Sequence, residues 1–201
     1  MSVMKNNLFL KFFPDDLLLE TSLVQLRILQ PTDEAAFQEL SKDSSIWKYF
    51  TFDCSIPGEM HRWVEEALFT RNSLIRVPFT IIRKSDGAIC GSTSFGNISF
   101  FDKRIEIGWS WLGTPFMGTG INTHAKHLLL KYAFEEMHME RVEVKTDFLN
   151  ERARAALLKI GMKEEGVLRS HMQMPHNRRR DSIYYSMLKE EWMKSPVQKV
   201  Q

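Results

Sequence analysis

Two glycines spaced by one residue, in Met117-Gly118-Thr119-Gly120-Ile121-Asn122-Thr123, stand directly ahead of the best-patterned helix in the chain. Glycine lets the backbone approach a ligand closely and turn successive N–H groups into one concavity. A helix N-terminus behind such a loop adds partial positive charge, and the combination suits a pyrophosphate. A Gly-x-Gly before a helix is also a common tight turn, and both readings stand at this level. No third glycine completes a dinucleotide fingerprint, and no Gly-Lys-Ser/Thr makes a P-loop. Cys90 follows Ile89 on an expected inner strand, where a thiol reads as a small hydrophobe rather than a nucleophile. His124 and His127 share a helix face, but no third ligand has metal spacing, so solvated histidines and no metal are expected. Arg178-Arg179-Arg180 lies beside a turn and reads as solvated, the other reading being contact with an acidic peptide or with phosphates.

The elements that must position these residues follow from periodicity. Leu23 to Leu29 alternates as a half-buried strand, and Pro31-Thr32-Asp33 opens a helix. A second helix starts after Ser55 and ends near Asn72. Three meandering strands follow, Val77 to Arg83, Ala88 to Phe100 and Arg104 to Leu112, the first pair joined at Ser85-Asp86-Gly87. From Asn122 to Met137, Ala125, Leu128, Leu129, Tyr132 and Ala133 fall on one helical stripe. A strand at Arg141 to Thr146, a short helix at Asn150 to Leu158 stopped by Gly161, and strands at Gly166 to Met174 and Asp181 to Leu188 complete the chain. The expected fold is α/β, a single mixed and mostly antiparallel sheet flanked by helices.

Composition narrows the setting. The 201 residues carry 27 basic and 25 acidic side chains, and a net charge of +2 does not advertise nucleic acid or membrane as a partner. Two cysteines cannot build a disulfide framework. The apolar stretch from Leu8 to Leu19 is broken by Lys11, Pro14, Asp15 and Asp16, so it does not read as a signal peptide. The uncharged run Ile107 to Thr123 lacks the sustained apolar character of a membrane span. A cytoplasmic, single-domain protein is expected.

Read in order, the loop, Arg104-Ile105-Glu106-Ile107-Gly108-Trp109-Ser110-Trp111-Leu112 before it, and Tyr132-Ala133-Phe134-Glu135 after it form one pattern. It continues through Arg141 to Asp147, Asn150-Glu151-Arg152, Lys159 to Arg169, Asp181 to Ser186 and Glu191-Trp192. This pattern resembles the GNAT (GCN5-related N-acetyltransferase) superfamily, specifically its RimJ/RimL-like branch. The resemblance spans Leu23 to Trp192, which sets an N-terminal extension at residues 1–22, the domain at 23–192 and a C-terminal tail at 193–201.

The resemblance implies an acetyl-CoA-dependent N-acetyltransferase that acts on a primary amine, either a protein N-terminus or a small amine, by direct attack in a ternary complex. It leaves room for a homodimer. The strand before the loop is expected to splay and offer its backbone to pantetheine at Ser110, Trp111 and Leu112. The family's phosphate loop aligns with residues 117–122, where Met117 replaces a long polar residue and Asn122 a small one. Asn150 matches the family's asparagine near the pantetheine arm, and it also reads as an N-cap. Trp47, Tyr49, Phe50 and Phe52 fall where the family builds its acceptor pocket, and core packing explains them equally well.

A protonated amine must lose a proton before it attacks a thioester, and the oxyanion that forms needs an aimed N–H donor. Glu106 is the expected base, with Gly108 beside it leaving room for the amine; a surface carboxylate paired with Lys103 or Arg104 is the competing reading. Strand alternation assigns Ile105, Ile107, Trp109 and Trp111 to one face and Glu106, Gly108, Ser110 and Leu112 to the other. The family's acid positions hold Leu157 and Ala153, neither able to give a proton, so Tyr184 or Tyr185 is the expected substitute. The same two residues keep open a CoA-binding module of this fold that has lost catalysis.

Overall fold

A computed structural model describes residues 2–199 of the chain. It contains one eight-stranded sheet in the order β1-β2-β3-β4-β5-β6-β8-β7. The strands are β1 (Leu18–Glu20), β2 (Val24–Ile28), β3 (Val77–Arg83), β4 (Ile89–Ser99), β5 (Arg104–Leu112), β6 (Arg141–Asp147), β7 (Lys163–Gln173) and β8 (Arg179–Leu188). The helices are α1 (Ser2–Phe12), α2 (Glu34–Ser41), α3 (Glu59–Asn72), α4 (Ile121–Lys131), α5 (Glu151–Lys159) and α6 (Lys189–Trp192). Every neighbouring pair is antiparallel except β5 with β6. That single parallel pair is joined by a crossover through α4, as a parallel connection requires. The mixed, mostly antiparallel α/β sheet is the one the residue patterns predict.

Helices cover both faces. The stripe of Ala125, Leu128, Leu129 and Ala133 is buried in the larger apolar cluster with Val24, Leu26, Phe79, Phe95 and Ile105. The opposite face carries a smaller cluster, in which Phe37 of α2 and Trp63, Val64 and Ala67 of α3 meet Trp111. Beyond Lys131 the expected helix continues as one π turn, Tyr132–Glu136, whose tyrosine hydroxyl donates to the Phe12 carbonyl.

Described residues of both expected flanking segments pack into this core. Phe9 and Phe13 of the expected N-terminal extension are fully buried in the larger cluster, and β1 extends the sheet. The reason is the i, i+4 spacing of the two phenylalanines, which puts both on one side of α1 despite the charges around them. Arg71 of α3 fixes the exit of that helix by donating to the Phe13 carbonyl at 2.5 Å and to Asp15 at 3.0 Å. In the expected tail, Val197 is buried and its carbonyl accepts from the ring of His127 at 2.7 Å.

One buried ion pair locks α2 onto the sheet. The Asp33 carboxylate receives Arg27 at 2.8 Å, the Thr80 hydroxyl at 2.5 Å and the Gln30 amide at 2.9 Å. Burial works against its charge, but Arg27, Thr80 and Gln30 together hold its pKa below the usual carboxylate value. A lowered folded-state pKa contributes stability above the unfolded value and loses it as pH falls through the folded one. Asp33→Asn is therefore expected to lower the unfolding free energy by about 3 kcal/mol at pH 7, in the range for breaking a buried pair. The gap to the parent should shrink below pH 4 in denaturant titrations; a gap independent of pH would show that charge is not what Asp33 contributes.

Candidate active site

β5 and β6 stay together for three pairs only, Arg104–Arg141, Ile105–Val142 and Glu106–Glu143. Beyond Glu106 they part. The cause lies in β5, where Trp109 adopts φ of 51° and the ladder to β4 slips, Ser94 facing Gly108 while Ser92 faces Trp111. A non-glycine residue in that region costs on the order of 1–3 kcal/mol and needs surrounding contacts to hold it. The Trp109 ring supplies them: the Arg76 guanidinium lies 4.7 Å from its centroid, and Gly96 sits under it. A Cβ on residue 96 would come within 2.5 Å of that ring, so only glycine fits there.

The bulge also overturns the expected alternation. Ile105 and Ile107 face the larger cluster as predicted, but one extra residue moves Leu112 to their side and sends Trp111 to the other. There Trp111 packs against Phe37 at 5.1 Å and Trp47 at 5.2 Å. Of the three β5 residues assigned to pantetheine, Ser110 lines the opening while Trp111 and Leu112 are buried. Their side chains are therefore core, and only their backbone remains available to a ligand.

The parted strands enclose a cavity of about 390 Å³. Glu106, Gly108, Ser110, Asn122, Thr123 and Asn150 line it, so the structure brings these expected site residues together. Tyr49, Phe50 and Phe52 close one wall, whereas Trp47 belongs to the core. Gly118 and Gly120 take φ of 75° and 89°, and Gly120 opens α4 with no side chain capping it. The amides of Gly118, Thr119 and Gly120 have no acceptor among the described residues. Thr119 hydrogen-bonds the Phe116 carbonyl at 2.7 Å, and Ile121 is buried. Met117, standing where a long polar residue is the pattern, has the Arg152 guanidinium 2.9 Å from its sulfur, so a cation reaches the loop from α5 instead. Asn150 Oδ1 accepts from the Ala153 amide at 3.1 Å, which makes it the N-cap of α5, and its Nδ2 has no partner among the described residues.

Glu106 is 3% exposed, which removes the surface-carboxylate reading. Neither Lys103 nor Arg104 pairs with it. Lys145 of β6 bonds both carboxylate oxygens, at 2.7 and 2.8 Å, and Asn97 donates to Oε2 at 2.5 Å. A Cβ on residue 108 would stand 3.2 Å from Oε1, so glycine there leaves the side of that oxygen away from Lys145 clear. Glu106 also borders a second cavity of about 500 Å³, and Tyr184 opens on that one rather than the first. Tyr185 is fully buried and bonds Arg154 and Glu164 at 3.3 Å.

Sequence reasoning missed Lys126. It is 6% exposed, its ammonium donates to Ser110 Oγ at 2.7 Å, and it lines the cavity without an acidic partner among the described residues. Burial pushes its pKa down to about 7. The available signal was its i, i+4 spacing from Asn122, which puts it on the loop-facing side of α4 rather than on the apolar stripe. Two other expectations are corrected. His127 is buried against Trp192, and His124 bonds Thr21 at 2.9 Å, so both histidines tie the chain ends to α4 rather than being solvated. Arg178 pairs with Asp147 and Arg179 bonds Ser170 at 3.0 Å, but Arg180 turns inward and is 7% exposed. Cys90 is fully buried and burial pushes its thiol up to about 11, in keeping with a packing role.

Residues 24–163 match the family model described as an acetyltransferase (GNAT) domain. The chain belongs to the GNAT acetyltransferase family. YdaF of Bacillus subtilis (strain 168), provisionally named a ribosomal N-acetyltransferase, is 39% identical over 107 residues, which cover 53% of this chain and 57% of YdaF. A solved structure assigned to an acetyltransferase is 31% identical and covers 92% of this chain and 91% of its own, with a TM-score of 0.82. RimJ of Mycobacterium smegmatis, solved in complex with CoA-disulfide, has the same fold at a TM-score of 0.74 and 23% identity, over 87% of this chain and 86% of its own.

The cradle of this GNAT domain fits a CoA thioester on its own chemistry. Free loop amides and an uncapped helix suit phosphates, and a slot between unpaired strand edges suits an extended amide-bearing arm. Among the described residues there is no group of three or more His, Cys, Asp or Glu side chains that could hold a metal ion, and no helix long and apolar enough to cross a membrane.

Lys126 gives a test of this geometry. Its folded-state pKa lies below the unfolded one, so its burial destabilises the protein fully below pH 7 and progressively less as pH rises toward 10.5. Lys126→Met should raise the melting temperature at pH 6 and raise it less, or not at all, at pH 9.5. An equal shift at both values would mean that the ammonium is not held in the cleft.

Proposed function

We propose that this protein transfers the acetyl group of acetyl-CoA to a primary amine, a protein N-terminus or a small amine, by direct attack in a ternary complex in the cytoplasm. The observation that carries this reading is the cavity itself. One continuous space joins the donor wall of Ser110, Thr123 and Asn150 to the carboxylate of Glu106 and the aromatic wall at residues 49–52.

Each group has a role that its geometry supports. The amides of Gly118 to Gly120 and the start of α4 hold the pyrophosphate, helped by Arg152 at Met117. Asn150 caps α5 with its oxygen and keeps its amide for the pantetheine arm. The N–H groups of β5 that lose β6 as a partner beyond Glu106 face the acyl oxygen and stabilise the charge that develops on it. Glu106 takes the proton of the amine at Oε1, directly or through a water, while Lys145 and Asn97 fix its orientation. Ala153 and Leu157 line the donor wall with no proton to give. Lys126 lines the same wall with an ammonium pushed down to about 7, and so is placed to protonate the departing thiolate. Tyr184 stands past Glu106 in the adjoining cavity and is the second candidate for that proton.

The inert pair Ala153 and Leu157 favours a second reading, a CoA-binding module of this fold without turnover. Release of free CoA thiol across a panel of amines separates the two, because tight CoA binding with no acetylated product from any amine leaves only the module.

Two substitutions test the assigned roles. Gly120→Val forces a β-branched residue into φ of 89° at the start of α4 and should weaken CoA binding at least about tenfold by calorimetry. Unaltered affinity in a folded variant would remove the loop from the phosphate site. Glu106→Gln should lower turnover by about 10²-fold or more, the usual contribution of a positioned base, and abolish the acidic limb of the pH–rate profile. Normal turnover with that limb intact would make Glu106 a structural anchor for Lys145.

A further inference from the structure

Among charged side chains, the cavity is lined by four cations, Lys126, Lys145, Lys159 and Arg180, against one carboxylate, Glu106. Lys145 and Glu106 are committed to each other. Arg180 is the cation least accounted for. It projects from β8 opposite Met172 of β7, is 7% exposed, and its Nε is buried with no hydrogen-bond partner. No other atom of its guanidinium bonds a described residue, and no described carboxylate lies within ion-pair distance. Asp147, whose charge acts on it, is already taken by Arg178 and by the Leu149 amide at 2.9 Å.

A buried guanidinium without an acceptor is costly, and its planar fork matches a carboxylate in two parallel hydrogen bonds. Arg180 and Glu106 line the same cavity, and Gly118 to Gly120 are not part of that lining. We propose that Arg180 is a carboxylate receptor for the acceptor, so that the preferred substrate is an amine whose own molecule carries a carboxylate close to the reacting nitrogen. The amine then lies against Glu106 while the carboxylate pairs with Arg180, and the aromatic wall at Tyr49, Phe50 and Phe52 covers the carbon skeleton between them. The same excess of positive charge works against diamines and polyamines, whose second ammonium would face unpaired cations. The inference rests on the acetyltransferase reading, and it names the acceptor class for that site.

Two sources offer this chemistry, a free amino acid and a peptide whose first residue is acidic. The test therefore uses matched pairs: L-alanine with ethylamine, L-phenylalanine with phenethylamine, and C-terminally amidated peptides beginning with Asp or with Asn. Acetylation is measured as kcat/KM, and binding of each amine to the protein saturated with CoA is measured by calorimetry. In the parent, the carboxylate-bearing member of at least one pair should lead by about tenfold or more, since a site built for a polar group discriminates strongly against its absence. The free-acid pairs and the peptide pair tell the two sources apart. In Arg180→Gln the ratio within that pair should fall toward one, and Arg180→Lys should restore part of it.

A parent that binds or acetylates both members equally, or a ratio unchanged in Arg180→Gln, overturns the proposal. A fall in CoA affinity with the ratio preserved would instead assign Arg180 to the donor. If no amine is acetylated but the binding preference is present and depends on Arg180, the receptor stands and the catalytic reading falls.

Discussion

Three rungs of parallel pairing join β5 to β6, and everything at the site depends on the ladder stopping after the third. A strand that stayed flat would continue pairing and fill the space with its own hydrogen bonds. Trp109 prevents this by taking a left-handed backbone conformation in the middle of a strand, where β-propensity would otherwise keep a tryptophan extended. The strain is held locally: Gly96 vacates the volume that the indole occupies, and Arg76 lies across the opposite reach of the aromatic cluster, 5.0 Å from the Trp63 centroid. The cleft is thus a property of packing around Trp109, which itself lines the cavity between Gly108 and Ser110. It also explains why Glu106, the last residue of the paired segment, is buried by the ladder while the Gly108 side of its Oε1 stays clear.

Much of the fold was legible because its signals are local. Alternation gave β3 to β5, the Gly161 stop closed α5, and the 3.6-residue stripe marked α4. The ordered motifs then carried the family, which composition alone could not. What sequence patterns hid were contacts between distant segments. Phe9 and Phe13 read as part of a broken stretch because their partners, Arg71 over Phe9 and Phe95 and Tyr132 beside Phe13, lie far along the chain. The bulge at Trp109 was invisible because a period-two pattern runs through it unbroken, with tryptophans at 109 and 111 that suggest one face. The three consecutive arginines read as a solvated turn because adjacent residues on a strand diverge only once the strand has a sheet to face, and β8 turns Arg180 inward between two outward neighbours.

The site's charges divide in a similar way. Glu106 was found from its position in a strand, yet the lysine that holds it comes from the neighbouring strand, 39 residues away. Lys126 went unnoticed because a lysine on a helix is ordinarily solvated, and only the Ser110 hydroxyl and the apolar walls of the cleft make it otherwise. Ser110 in turn bonds Thr93 of β4 at 2.7 Å, so this wall of the cavity is braced across two strands. Such bracing keeps the rearrangement needed at the moment of reaction small.

The sheet order has a consequence for how this protein can change over generations. The chain enters β7 at the outer edge and only then returns as β8 between β7 and β6, so the strand that backs β6, and that carries Arg180, follows the outer one in sequence. Residues 24–163, the stretch that matches the family, contain the Gly118–Gly120 loop, α4, Glu106 and Asn150. Met172, Arg180, Pro196 and Val197, which complete the cavity wall, all come after it. The last stretch of the cavity wall thus lies outside the part matched to the family, and substitutions there can reshape that side of the cavity while leaving the matched segment unaltered.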